Sequence, residues 1–497
     1  MGSVAVAYHE KALSELKNPD LLIEDAFIGG TWLKRSGTFA VTEPSTGNVL
    51  GRVANCNLED FQAAIDDAHR AQPKFHRSTT ASQRGSLLRR WNDLILANKH
   101  DLAIILCLEN GKTYAEAEGE IVYAASFVSW FAEEATRSYG VTIPSSTANA
   151  TVFTTKEPVG VCAIITPWNF PAAMITRKIA PALGSGCAVV IKPPSETPYT
   201  CLALTKLAIE AGIPSSVIQV CPTKDRQAAL ELATSAKIQK ISFTGSTEVG
   251  KMLAKLAAGT LKRVSLELGG NAIFIVFEDA DLDLAVEGAM FCKFRCSGQT
   301  CVCANRLFVH KTLVEAFTKK LVAKASALKT GPGLEKSTTQ GPLVNKAAVQ
   351  KVAEHVENAV GQGAKIELGG SPGSGNGFFY EPTVLSGATD SMLVAQEETF
   401  GPLAPIFSFE TESEAIERAN KTPFGLAGYF FSKDVGRIMR VAQQLQVGMV
   451  GVNTGKISAA EAPFGGVMES GYGREGSLYG MEEYQVLKSV TIGNTDK

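Results

Sequence analysis

Hydrophobic and polar positions divide the 497-residue chain into stretches of different period. Residues 23–33 alternate weakly about a Gly-Gly pair and predict a β-hairpin. Asn57 then heads a helix: Asp60 stands three residues on, and Phe61, Ile65 and Ala68 follow at helical spacing. The same periodicity covers 82–91 and 94–108, so the chain up to about residue 135 is expected to be mostly helical after its first hairpin. Residues 151–156 are strand-like and half polar, as suits an exposed ribbon or a sheet edge.

From Val159 the pattern changes. Short apolar runs at 161–165, 187–191, 218–221 and 240–243 alternate with helical stretches at 172–183, 200–211, 227–234 and 249–258. That alternation predicts a parallel, doubly wound sheet, with ligands at the carboxyl ends of its strands. A second α/β region runs over 272–452, with strands that include 273–277, 307–309, 365–368 and 403–409, and a Gly/Ser/Pro surface loop at 369–377. Residues 486–492 are strand-like again. This segment and the one at 151–156 lie outside both α/β regions, and together they can form a small sheet that pairs with a second subunit.

Composition narrows the class. Hydrophobic residues make up 45% and charged residues 20% of the chain, as in a soluble globular protein. At roughly 150 residues per domain, the length implies about three domains. The formal net charge of −2 and scattered basic residues point away from nucleic acid and anionic membranes. Apolar runs are too short to span a bilayer, the N-terminus carries neither a secretory nor a mitochondrial signal, and the expected location is cytoplasmic. The 10 cysteines follow no repeating frame, which fits a reducing compartment.

Five places offer chemistry. The stretch at 291–306 sets Cys301 just after a Gly-Gln-Thr turn that follows a helix end, where a thiol can be exposed and its pKa lowered by backbone N–H groups. Cys301 is therefore either a covalent nucleophile or a buried apolar cysteine. After the first parallel strand, Asn169 can donate to a developing oxyanion or simply occupy the turn before Pro171. Lys192, after the second, can hold a ribose hydroxyl or phosphate, or stay solvated. Gly245 and Ser246 lead into a helix whose N-terminus offers N–H groups to a phosphate, although an ordinary capped helix reads the same way. Glu267, between two leucines at a strand end, is a candidate general base if desolvated, or a solvent-facing edge residue. Cys292, Cys296, Cys301 and Cys303 lack the paired spacing and histidine of a zinc site, so no metal is expected.

With these segments in place, the chain resembles the aldehyde dehydrogenase superfamily from about residue 22 to 492. The resemblance rests on the ordered set PWNF, K-P-x-x, FTGSTEVG, ELGG, GQTC and EETFGPL. It implies that Cys301 attacks an aldehyde to give a thiohemiacetal, with Asn169 and the Cys301 N–H holding the oxyanion. Hydride then leaves for a nicotinamide, and Glu267 activates water to hydrolyse the thioester. It also implies a cofactor site formed by Ile165, Thr166, Pro167, Trp168, Lys192, Ser195, Gly245, Ser246, Leu268, Glu398 and Phe400. NAD-preferring members usually carry glutamate three residues after the lysine; Ser195 stands there, so NADP is expected, with NAD used more weakly. Glu196 next door qualifies this.

The motifs MITRK, KFR-x-x-x-GQTCVC and GVNTGKIS resemble succinate-semialdehyde dehydrogenases. That implies Arg177, Arg295 and Ser458 holding the carboxylate tail of the substrate, and oxidation of succinic semialdehyde to succinate in 4-aminobutyrate degradation. Glutarate semialdehyde is the nearest alternative, because one methylene is worth only ~1–3 kcal/mol. A structural or binding protein that reuses the fold is the non-enzymatic alternative, opposed by the presence of Cys301, Glu267 and Asn169 together. Some relatives bridge the positions of Cys301 and Cys303 reversibly, which implies a redox switch. Cys296 adds a further thiol near the site. The expected architecture is a cofactor domain (1–137 and 160–270), a catalytic domain (271–475) and bridging segments (138–159 and 476–497) that build a homodimer or homotetramer.

Overall fold

The computed structural model describes residues 2–494. Two open sheets carry the fold. In the first, the strands run Thr31–Leu33, Ala26–Ile28, Ile218–Val220, Ala188–Lys192, Val161–Ile165, Lys240–Thr244, Arg263–Glu267 and Gly471–Tyr472. The five central strands are parallel. Their near-continuous apolar runs follow from burial on both faces, and the sequence reads them correctly. Chain order steps one way from Val161–Ile165 through Ala188–Lys192 to Ile218–Val220. It then returns to place Lys240–Thr244 on the other side of Val161–Ile165. That reversal opens a crevice at the carboxyl ends of these two strands, the usual place for a ligand in a doubly wound sheet.

The second sheet runs Lys365–Leu368, Thr383–Ser386, Leu403–Phe409, Arg306–His310, Ile273–Val276, Ala427–Phe431 and Met449–Val452. It is parallel except for the first, edge strand. Phenylalanines fill both its faces, among them Phe274 stacked near Phe431 and Phe308 near Phe407. The sheets are joined through Glu267–Ile273 and again through Gly471–Tyr472, which returns from the second region to pair antiparallel with Leu266–Glu267.

The predicted small sheet forms. Gln485–Ile492 lies antiparallel along Thr151–Pro158 over eight residue pairs, with Thr142–Ile143 on the far side. The first hairpin, Ala26–Ile28 with Thr31–Leu33, also forms, and Asn57 and Asp60 make a reciprocal capping box on Leu58–Ser78.

The N-terminal region is mostly helical, as expected, with one addition. A second hairpin, Thr38–Glu43 with Asn48–Ala54, precedes the helices. Phe39 and Val41 point inward on alternate positions, and Gly47 supplies the positive φ of 72° that the turn needs. The helix expected at 227–234 is two single turns, Arg226–Ala229 and Glu231–Thr234. No helix among the described residues is long and apolar enough to cross a membrane.

Candidate active site

The helix Leu282–Phe294 begins on the Asp281 side chain, which accepts from Leu284 N at 3.1 Å. Past Phe294 the chain turns sharply, with Cys296 and Ser297 at φ of 51° and 56°. Left-handed backbone at two non-glycine residues costs on the order of 1–3 kcal/mol each and needs outside support. That support is present. Cys296 N donates to Glu116 Oε1 at 2.6 Å, and Ser297 Oγ donates to the Gly341 carbonyl at 2.7 Å. Gln299 Oε1 accepts from Val344 N at 2.9 Å while its Nε2 donates to the Cys296 carbonyl at 3.2 Å. Gly298 lies so close to Gly401 that a side chain would strike its carbonyl. The outcome is that Cys301 is partly exposed, while the other nine cysteines are buried. Cys301 opens on a cavity of about 320 Å³ whose walls include Tyr123, Phe170, Arg177, Arg295, Ser458 and Phe464.

Two strand ends of the first sheet face this loop. Beyond Val161–Ile165, Thr166, Pro167, Trp168 and Asn169 form the turn. The Asn169 side chain donates through Nδ2 to the Gln299 carbonyl at 3.1 Å, leaving one N–H uncommitted, and its Oδ1 is buried without a protein partner. At the end of Arg263–Glu267, Glu267 is only 3% exposed. Its Oε2 accepts from Thr244 Oγ1 at 3.0 Å and from Arg177 Nη2, and its Oε1 has no protein hydrogen bond. Burial and the neighbouring Glu267 carboxylate push the Cys301 thiol well above its usual range, against the pull of Arg177. The sequence expectation of a thiol lowered by its turn is thereby reversed: burial, with the carboxylate beside it, outweighs the pull of Arg177.

The structure also narrows the expectation for the two arginines. Arg177, 1% exposed, pairs with Glu267 through Nη2 and with Glu475 through Nε, and Glu475 pairs in turn with Lys178. Burial alone would lower the Arg177 pKa, but Glu475 and Glu267 hold it above the usual value. Burial alone would raise Glu475, and Arg177 and Lys178 bring it below. Arg177 therefore already holds two carboxylates. Arg295 has no ion pair among the described residues. It lies 4.9 Å from the Phe291 ring centroid and 5.4 Å from that of Phe170, and its Nε is buried without a partner. Ser458 Oγ is hydrogen-bonded to Tyr123 Oη on the same wall. Cys303 is buried, its sulfur 3.3 Å from Lys293 Nζ, and it and Cys301 are both free thiols.

The residues expected around a dinucleotide lie along the crevice. Thr166 Oγ1 is buried with no partner, and Ser246 stands at the N-cap of Thr247–Ala257 with its hydroxyl unused for capping. Gly250 on that helix packs so closely on Leu268 that a side chain would collide. Lys192 ends its strand with its pKa lowered by burial. Ser195, Glu196 and Lys224 line a second cavity of about 210 Å³, where Ser195 Oγ donates to Glu196 at 3.1 Å. Phe400 takes a strained φ of 57° and meets Trp168 edge-on at 5.5 Å. Glu398 is pushed up to about 7 by burial, with Lys351 working against it. Unpartnered hydroxyls, a near-buried lysine and close glycines suit a phosphate-bearing dinucleotide.

Residues 32–490 match the model of the aldehyde dehydrogenase family. The chain belongs to that family. It is 53% identical over 485 residues to the 3-sulfolactaldehyde dehydrogenase of Pseudomonas putida, covering 97% of this chain and 100% of that one. It is 51% identical over 480 residues to a glutarate-semialdehyde dehydrogenase of P. putida strain KT2440, covering 96% and 99%. It is 49% identical over 481 residues to the NADP(+) succinate-semialdehyde dehydrogenase of Escherichia coli K12, covering 96% and 100%. A crystal structure of succinate-semialdehyde dehydrogenase from Burkholderia pseudomallei superposes with a TM-score of 0.95 at 50% identity, covering 96% and 100%. This aldehyde dehydrogenase is thus an oxidoreductase with the α/β architecture that its sequence motifs imply.

Sequence reasoning missed Tyr123, Lys112, Glu120 and Glu475. Each reaches the site from a distant part of the chain, and Glu475 meets Lys178 across 297 residues. The one local signal was the spacing of Glu116 and Glu120, one turn apart on the same helix.

Proposed function

We propose that this aldehyde dehydrogenase oxidises aldehydes that carry an anionic tail, succinic semialdehyde first among them, to the corresponding acid with NADP. The observation that carries the proposal is Arg295: a cation in no ion pair among the described residues, its Nε buried without a partner, on the wall of the cavity that holds the one accessible thiol. A guanidinium in a partly apolar pocket binds a carboxylate more strongly than one in water, and Ser458 and Tyr123 add hydroxyls beside it.

In this reading the Cys301 sulfur attacks the aldehyde carbon. The sulfur reacts as the thiolate, its proton passing to solvent through the cavity. The second N–H of Asn169 and the Cys301 backbone N–H hold the resulting oxyanion. A nicotinamide held along the crevice would supply the hydride acceptor as the thiohemiacetal collapses to the thioester. Glu267 then removes a proton from water, the hydroxide attacks the thioester carbon, and the thiolate leaves as the acid forms. Arg177 fixes the Glu267 carboxylate by pairing with one oxygen and leaving the other free to work.

Ser195 and Lys224 support NADP, since hydroxyl and ammonium groups suit a 2′-phosphate, while Glu196 in the same cavity leaves room for slower use of NAD. Glutarate semialdehyde differs by one methylene, worth only ~1–3 kcal/mol, and is the nearest alternative substrate. A sulfonate tail, as in the substrate named for one of the relatives, makes the same demand on Arg295. A cytoplasmic homo-oligomer built through the small sheet completes the proposal: Leu487 and Val486 on its outer strand are exposed. Reversible oxidation of Cys301 with Cys303 also belongs to it, and peroxide treatment that leaves both thiols alkylatable and activity intact removes that part.

The test is steady-state turnover of succinic, glutaric and uncharged four-carbon aldehydes with NAD and with NADP, beside Cys301→Ala. Acidic aldehydes with NADP should give the highest kcat/KM, and Cys301→Ala should be inactive. With Glu398 titrating near 7, the cofactor KM should rise as pH falls below 7, because a protonated carboxyl no longer accepts from ribose hydroxyls.

A further inference from the structure

The helix Tyr114–Glu134 carries Glu116 and Glu120 one turn apart, both on the cavity wall, and each reaches a different partner. Glu120 Oε1 accepts from Ala172 N at 2.8 Å and Ala173 N at 3.3 Å, at the start of the helix that bears Arg177. Its Oε2 pairs with Lys112 Nζ at 2.5 Å. Lys112, 2% exposed, donates onward to the Asn169 carbonyl at 2.8 Å and stands 4.0 Å from the Phe170 ring centroid. Glu116 serves the opposite side: Oε1 accepts from the strained Cys296 N, and Oε2 accepts from Thr113 N at 3.0 Å and Thr113 Oγ1 at 2.9 Å. One helix face thus grips the strand-end turn that presents the Asn169 amide and the loop that presents the Cys301 sulfur.

We infer that Lys112, Glu120 and Glu116 form a clamp that sets the spacing between the Asn169 amide and the Cys301 sulfur, and that they are positioning residues for acylation. The inference rests on the proposed roles of Cys301 and Asn169. A buried lysine–glutamate pair adds little net stability compared with an apolar pair of the same shape. Its value here lies in geometry: the Lys112–Asn169 bond holds the backbone beneath an oxyanion donor, where a shift of about 1 Å can cost 10²-fold in rate. Glu116 holds φ at Cys296 in a region the residue would otherwise leave.

The experiment compares wild type with the charge-neutral double variant Lys112→Met/Glu120→Gln, with Glu116→Ala and with Glu116→Gln. It measures the pre-steady-state burst of reduced cofactor, the aldehyde KM, the rate of Cys301 alkylation by iodoacetamide, and the melting temperature. The double variant should lose at least tenfold in burst rate, with aldehyde KM and alkylation rate within about twofold of wild type, because alkylation makes no use of an oxyanion donor. Glu116→Ala should change the alkylation rate and the burst together, and Glu116→Gln, which keeps an accepting oxygen, should restore both. A double variant with the wild-type burst rate overturns the clamp. So does a loss of burst accompanied by an equal loss of alkylation and a collapse in melting temperature, which marks a purely structural role. A burst that survives Cys301→Ala instead overturns the underlying assignment of the nucleophile.

Discussion

Arg177 and Arg295 stand on the walls of one cavity, yet their surroundings differ in kind. Around Arg177 every charge is answered: Glu267 and Glu475 take its guanidinium, Lys178 takes the second oxygen of Glu475, and Thr244 supports Glu267. Around Arg295 there are ring faces and, among the described residues, no carboxylate in an ion pair with it. A buried cation in a closed ion network can hold its partners in place but has little left to offer a ligand. One left unpaired at a cavity wall carries an unmet demand for an anion. The residue type is the same in both cases; the division of labour comes from what packs around them.

The comparison can be broken most sharply at Arg177. Arg177→Leu leaves Glu267 buried without its cation and Glu475 with Lys178 alone, so it should cost about 3–5 kcal/mol of stability and lower turnover of charged and uncharged aldehydes alike. Denaturant melts and kcat with both substrate kinds check this; a stable variant that lost only its preference for acidic aldehydes would transfer the tail-binding role to Arg177. Arg295→Gln comes next. It removes charge-assisted hydrogen bonds worth ~1.5–3 kcal/mol, so the KM for succinic semialdehyde should rise roughly 10- to 150-fold, with melting temperature and the KM for butanal nearly unmoved. An equal rise for butanal would contradict it. The smallest effect concerns the thiol. Below its raised pKa Cys301 is protonated and slow to alkylate, so the wild-type rate should keep climbing through pH 7–9. Glu267→Gln removes the adjacent negative charge, shifts that climb to lower pH and should speed alkylation at pH 7 severalfold. Slower alkylation would mean that Glu267 acts on the free enzyme chiefly as the base for the thiol.

The fold was largely legible because double-sided burial writes itself as apolar runs, and the runs at 161–165, 187–191 and 240–243 are of that kind. The hairpin over residues 38–54 was not, since its short strands alternate gently and a register shift between Val41 and Thr42 blurs the period. At the site, Cys301, Asn169 and Glu267 were legible as candidates because each follows a turn or strand end, while their roles came from the resemblance of the surrounding motifs. That the turn after Val161–Ile165 meets the Cys301 loop follows from topology, which brings the switch point of the first sheet against a loop between two strands of the second. The closed network around Arg177 could not be read at all, because Glu475 arrives from 298 positions further along the chain through a strand of two residues.

The central claim is that one thiol carries the substrate as a thioester. The direct measurement is mass spectrometry of acid-quenched Glu267→Gln enzyme mixed with succinic semialdehyde and NADP, followed by digestion and identification of the modified peptide. The account predicts a succinyl mass increment confined to Cys301 and absent without NADP. Turnover with no substrate-derived mass on Cys301, or with that mass on Cys296 or Cys303 instead, would contradict it.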